Sequence, residues 1–278
     1  MKPTHKLTAT TLTSSTPKPI SRKQLNELQI EVLQILYKFR FATAELISQY
    51  QEQSIRNSNV RLKNLLEQKY IGRNYDDSYR IKQWPATYYL LPDGIRFLKA
   101  NPELDKKGLH LSYNSRWVKP EFTRHWLRMF RIYLKFDSIY RDDLEFFTST
   151  ELTDQQKFPR PISDAFLSFR SEYANNPDYM LELMESNISL ARLRQRVNRF
   201  MYHSQTGNWT GNYPIVLLIC DNVGLERELQ NYIARTLNYR GLVKPTYYTT
   251  TLRALFGSRI ANDAIWSEVT KPEVLLVL

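Results

Sequence analysis

Thr43–Lys69 reads TAELISQYQEQSIRNSNVRLKNLLEQK. Thr43 is a suitable N-cap, and Ala44, Ile47 and Tyr50 recur at helical spacing, so a short helix is expected at 43–50. A second helix follows from Ser54. Ile55, Leu62, Leu65 and Leu66 fall on one of its sides, taken at about 100° per residue. Asn57, Arg61 and Asn64 fall on the other, flanked by Arg56, Val60 and Lys63. An apolar back with an Asn/Arg front suits the reading of base edges. Arg bonds guanine and Asn bonds adenine in bidentate fashion, each worth about 1–3 kcal/mol of discrimination.

The flanking sequence extends the pattern. Leu28–Phe39 (LQIEVLQILYKF) is a periodic helix, 70–91 (YIGRNYDDSYRIKQWPATYYLL) is β-prone, and Pro92 and Asp93 open a closing helix (PDGIRFLKA). That order predicts a winged helix-turn-helix domain over 21–101, with one helix offered to the major groove and a hairpin to the flanking phosphates. Asp76, Asp77 and Ser78 are expected to turn the hairpin, and Arg73, Arg80 and Lys82 to meet phosphate or the minor groove. Double-stranded DNA is the expected partner.

Charge agrees. The net charge is +11, of which residues 1–110 carry +8 and the remaining residues +3. A basic first half supplies the sequence-independent attraction to phosphate. Residues 1–20, rich in Thr, Ser, Pro and Lys, are expected to be a disordered basic arm. They have no apolar core of a secretory signal, and no run approaches the roughly 18 apolar residues that span a bilayer. A cytoplasmic protein without a membrane partner is expected. The single cysteine, Cys220, lies in the apolar run YPIVLLICD and is expected to be a core residue. With eight glycines in the chain, there is no phosphate-cradling glycine loop.

Residues 102–120 (PELDKKGLHLSYNSRWVKP) are polar and weakly periodic, and are expected to be a linker. Beyond them helices and strands alternate through 121–278. Helices are expected near 121–140, 190–204, 225–238 and 252–255, and strands near 144–149, 162–169, 179–183, 215–220 and 245–250. This predicts a mixed α/β domain. Asp164 enters one strand, Glu182 sits late in the next, and a basic helix follows. Metal-dependent phosphodiesterases hold Mg²⁺ with carboxylates so placed, and a Lys two residues after the Glu helps activate water. The layout is similar to that of the restriction-endonuclease-like superfamily. Here Met184 stands in the Lys position, and Arg192 or Arg194 of the next helix would be the basic substitutes. Asp164 and Glu182 are therefore read as vestigial candidates, with Mg²⁺ expected only if that domain is active and no cofactor otherwise. Arg192, Arg196 and Arg199 are expected on the outer side of their helix as secondary phosphate contacts. His125 (TRHWLRMF) is read as a satisfied core histidine.

Taken in series, VRLKNLLEQKYIGR, TYYLLPDGIRFL, TRHWLRMF, PISDAFL, YMLELMES, LRQRVNRFMYH and PIVLLIC resemble the bacterial replication-relaxation family, from about Leu28 to Val277. The resemblance implies a DNA-binding accessory protein of a mobile element, acting in plasmid replication, relaxation or transfer (conjugation) beside relaxase or replication proteins. Where family members carry an acidic residue two positions after the Glu and a basic one after that, this chain has Met184 and Glu185. A metal-dependent nuclease or nickase and a winged-helix transcription regulator are the alternatives. A homodimer would demand paired half-sites about one helical turn apart.

Overall fold

A computed structural model describes residues 24–75, 77–102, 104–170, 177–207, 209–260, 263–271 and 275–276. The basic arm expected at 1–20 lies outside the described residues. The chain is a mixed α/β protein. No described helix is long and apolar enough to cross a membrane.

The N-terminal elements begin with α1 (Glu27–Lys38), opened by a capping box in which Asn26 and Gln29 bond each other's backbone N–H. Thr43 caps α2 (Ala44–Tyr50) and Ser54 caps α3 (Ile55–Glu67), each accepting a backbone N–H three residues on. The chain leaves α3 directly into β1 (Ile71–Asn74), which pairs antiparallel with β2 (Thr87–Leu90). Ala42 adds a single bridge to Tyr88. The connection between these strands is more than a turn, because Asp77 and Ser78 open the short helix α4 (Asp77–Ile81); Asp76 lies outside the described residues. α5 (Pro92–Leu98) then packs so closely that a Cβ on Gly94 would sit 2.4 Å from the Tyr70 carbonyl oxygen.

Residues 102–120 are not an open linker. Asp105 caps α6 (Lys106–Leu111), a 3-10 stretch covers Ser112–Trp117, and Leu109, Ser112 and Ser115 are buried. Several contacts hold the segment, among them Asp105 to Tyr37 and to the Asp154 N–H. The buried Arg40 guanidinium donates to the Leu111 carbonyl (2.9 Å) and to Ser115 Oγ (3.1 Å), and burial lowers its pKa to about 10. Gly108 packs on the residues after the first strand of the large sheet, where its missing side chain admits the Thr150 carbonyl.

The remainder starts with α7 (Pro120–Tyr140), followed by β3 (Leu144–Thr148), β4 (Ala165–Phe169), β5 (Tyr179–Met184), α8 (Leu190–Gln205), β6 (Ile215–Cys220), α9 (Val223–Arg240), β7 (Tyr247–Thr251), α10 (Leu252–Gly257), β8 (Trp266–Glu268) and β9 (Leu275–Leu276). The strands form one seven-stranded sheet in sequence order, parallel at β5–β6 and β6–β7 and antiparallel elsewhere. Alternation along the strands sends Leu181, Leu183, Leu217 and Ile219 to one face. Met180, Glu182, Met184, Val216, Leu218 and Cys220 go to the other, under α8 and α9.

The first face shares its core with the N-terminal elements. One cluster runs from Val32, Leu36 and Leu62 through Met129, Phe130 and Ile132 of α7 to Leu181 and Leu217. Phe39 stacks on Phe130 at 4.2 Å, and Thr148 Oγ1 donates to the Lys38 carbonyl. The two halves thus meet through a hydrophobic core and not through a tether.

Candidate functional site

Two features of the molecule bear on function. The first is the outer surface of α3. Ser58, Leu62 and Leu65 form its buried back; Ile55, expected there, is exposed, because the helix packs from its second turn onward. Arg56, Asn57, Lys63 and Asn64 face solvent together with Val60. Lys63 makes only a loose pair with Glu67 (3.9 Å), which leaves it adaptable. Arg61 differs from its neighbours. It is half-buried and donates to Gln51 Oε1, while Gln51 Nε2 donates to Glu31 and to the Leu28 carbonyl. Part of its guanidinium is therefore spent on fixing α3 against α1 and α2. On the hairpin, Arg73, Arg80 and Lys82 are exposed. Arg73 lies over the Tyr75 ring, Arg80 pairs with Asp77 (3.5 Å), and Lys82 lies over Trp84.

The second is a chain of ion pairs along the C-terminal ends of β5 and β6. Arg128 Nη1 contacts both Asp221 Oδ1 (2.9 Å) and Glu185 Oε1 (3.0 Å). Glu185 Oε2 lies 2.8 Å from His125 Nδ1, and His125 Nε2 lies 3.0 Å from Asp164 Oδ1. Arg196 Nη2 joins Asp164 Oδ2 (2.9 Å) to Glu182 Oε2 (2.5 Å), and Arg199 closes the chain on Glu182 Oε1. Acid and base alternate throughout, from Asp221 to Arg199. With His125 protonated, four anions meet four cations.

Local structure explains how each member arrives. Glu182 lies in a strand buried at all six positions and shares the α8 face with Met180 and Met184. Glu185, one residue past that strand, turns to the α7 side, where His125 and Arg128 stand three residues apart on one helix face. Asp164 directly precedes β4 and accepts the Leu183 N–H with Oδ2 (2.8 Å), so the backbone of β5 orients it. Asp221 follows β6 and is held by the N–H and hydroxyl of Ser186 (2.7 and 2.8 Å).

The electrostatics follow from burial and neighbours. Burial alone would depress His125, but Asp164 and Glu185 on either side outweigh it and raise its pKa to about 10, so it is an imidazolium at neutral pH. Burial would likewise raise Asp164; His125, Arg196 and the Leu183 N–H overcome it and hold its carboxyl well below the usual range. Complete burial pushes Glu182 upward, opposed by Arg196 and Arg199. Glu182 is the carboxylate here, since protonated it would leave the buried Arg199 without a counter-charge and Arg196 with Asp164 alone.

No protein-family model, curated protein or solved structure matches this chain.

The carboxylates expected from the sequence do come together, but through a guanidinium. Asp164 and Glu182 share Arg196, which lies where a cation binding both would have to lie. Met184 sits in the apolar cluster under α8. These donors do not fit Mg²⁺, which requires free carboxylate oxygens, near-octahedral geometry and retained waters. Among the described residues no group of three or more His, Cys, Asp or Glu is placed to hold a metal ion.

Arg196 and Arg199 do not lie on the outer side of α8, as expected for phosphate contacts. Their side chains are only 20% and 10% exposed and turn in toward Glu182, while Arg192 alone of the three faces solvent. Arg194, the other expected basic substitute, pairs with Glu228 (3.2 Å). His125 is satisfied, as expected, but by two carboxylates and not by an apolar core. The signal for this network is present in the chain: a Glu inside the wholly apolar strand YMLELM must find a cation, and the following helix carries the arginines.

Proposed function

We propose that the chain is a winged-helix protein that binds duplex DNA through α3 and the β1–β2 hairpin. Its second half, on this reading, keeps a restriction-endonuclease-like layout as a scaffold and not as a catalyst. The observation that carries the proposal is the face of α3. Four polar or basic side chains able to bond base edges or phosphates stand exposed on a helix whose back is locked by Leu62 and Leu65 and whose start is fixed by Ser54. The basic first half and the basic hairpin residues agree with it. Occupation of Asp164 and Glu182 by Arg196 and Arg199 favours an accessory role over metal-dependent cleavage. The resemblance to the replication-relaxation family adds the biological setting: an accessory factor of plasmid replication, relaxation or transfer, working beside relaxase or replication proteins.

Footprinting on plasmid origin and transfer regions tests the proposal. Protection of a discrete duplex site, lost in an Arg56→Ala, Asn57→Ala variant that remains folded, is the expected result. Equal binding by parent and variant would overturn the assignment to α3.

A further inference from the structure

Beyond the duplex-binding surface, a cavity of about 300 Å³ opens between the α4 region of the hairpin and the first half of α7. That volume is at the lower end of sites that take small organic ligands. Its α7 wall carries Arg124, Arg128 and Arg131, spaced i, i+4 and i+7 and hence in one stripe. Its opposite wall carries Tyr79 and Trp84, packed edge to face at 5.8 Å and 88°.

The arginines are unequally committed. Arg124 pairs with exposed Glu121, and Arg128 spends Nη1 on Glu185 and Asp221 as the outermost base of the ion-pair chain. Arg131 makes no hydrogen bond or ion pair among the described residues. Lys82, over the Trp84 ring at 4.7 Å, adds a fourth cation beside the opposite wall. The cavity runs along the flank of α7 from Pro120 in its first turn to Arg131. One wall is thus suited to an anion and the other to a flat ring.

We propose that this cavity binds a nucleotide, its base against Trp84 and Tyr79 and its phosphates along Arg124, Arg128 and Arg131. Base stacking tolerates any sequence, and guanidinium stripes follow phosphate. The ligand is either a free nucleotide or the terminal unit of a DNA strand, which share this chemistry.

The test is calorimetric titration of the full chain at low salt with ATP, adenosine, inorganic triphosphate, a 5′-phosphorylated oligo(dT) and poly-glutamate. ATP is expected to bind more tightly than adenosine or triphosphate, because each of those satisfies one wall alone. Trp84→Ala and Arg131→Ala, both at exposed side chains, are expected to weaken ATP about tenfold each, with only Arg131→Ala weakening triphosphate. Displacement of ATP by the oligonucleotide would assign the site to a strand end, and lack of displacement to a free nucleotide. The α3 variant Arg56→Ala, Asn57→Ala is expected to retain ATP binding, which separates this site from the duplex-binding surface. Triphosphate or poly-glutamate binding as tightly as ATP, unchanged ATP affinity in both variants, or no binding of ATP or oligonucleotide would overturn the proposal.

Discussion

Arg196 Nη2 lies 2.5 Å from Glu182 Oε2, and the Glu182 side chain has no exposed surface. A buried pair of this kind adds little net stability over an apolar pair, yet breaking it on one side is expensive. Arg196→Met leaves both Glu182 and Asp164 short of a counter-charge, so a loss of about 3–5 kcal/mol in urea unfolding is expected. Combining it with Glu182→Met is expected to cost less than the sum of the two single changes by about 1 kcal/mol or more. Additive effects would mean that the pair does not interact energetically.

His125 sets a pH window. Its pKa is raised from 6.5 to about 10 in the fold, so the native state holds a proton there that the unfolded chain releases. That contribution is complete below pH 6.5 and is lost as pH rises through about 10. Asp164, held below its ordinary 3.8, acts in the opposite sense: its contribution is present above that value and falls away in acid. Unfolding midpoints of the parent should therefore decline from pH 6.5 to 10 more steeply than those of His125→Gln. Parallel declines in the two proteins would remove His125 as the group responsible.

Gly108 holds α6 against the second half of the chain. A Cβ there would lie 2.1 Å from the Thr150 carbonyl oxygen and 3.2 Å from Tyr37 Oη. Neither neighbour is the free end of a flexible chain, because Tyr37 is buried and Tyr37 Oη accepts the Asp105 N–H. Gly108→Ala is expected to destabilise by about 1–3 kcal/mol, as overpacking does. Gly257→Ala, whose added Cβ would meet nothing within 4 Å, serves as the comparison and should change the midpoint little. An equal response at both positions would sever 106–111 from the shared core.

Element positions are readable because period and boundary signals coincide. Leu193, Val197, Phe200 and Met201 repeat at helical spacing inside α8, and the apolar run Ile215–Cys220 is a central parallel strand. What stays hidden depends on distant partners. Arg196 flanks the apolar stripe of α8, and a projection of one helix cannot distinguish an arginine in water from one reaching a carboxylate in the next layer. The segment 102–120 reads as a linker because its hold on the fold comes from residues distant in the chain, such as Arg40, Tyr37 and Thr150. His125 likewise reads as a core residue from its own helix, while its two carboxylates come from the ends of two strands distant in the chain.

Within α3 the side chains should separate into two classes. Asn57, Asn64, Arg56 and Lys63 are exposed, so alanine at these positions should lower DNA affinity and leave unfolding almost unchanged. Where Arg56 or an Asn reads a base, the loss is about 1–3 kcal/mol and is specific to site-containing duplex; where Lys63 meets phosphate, it is similar for all duplexes and reduces the salt slope by about one. Arg61 bonds Gln51, so Arg61→Ala should lower both DNA affinity and stability. Gln51→Ala supplies the discriminating comparison, since it frees Arg61 without removing its charge. If Arg61 acts through the orientation of α3, Gln51→Ala weakens binding in gel shift as Arg61→Ala does; if Arg61 itself reads a base, Gln51→Ala binds as well as the parent while Arg61→Ala does not.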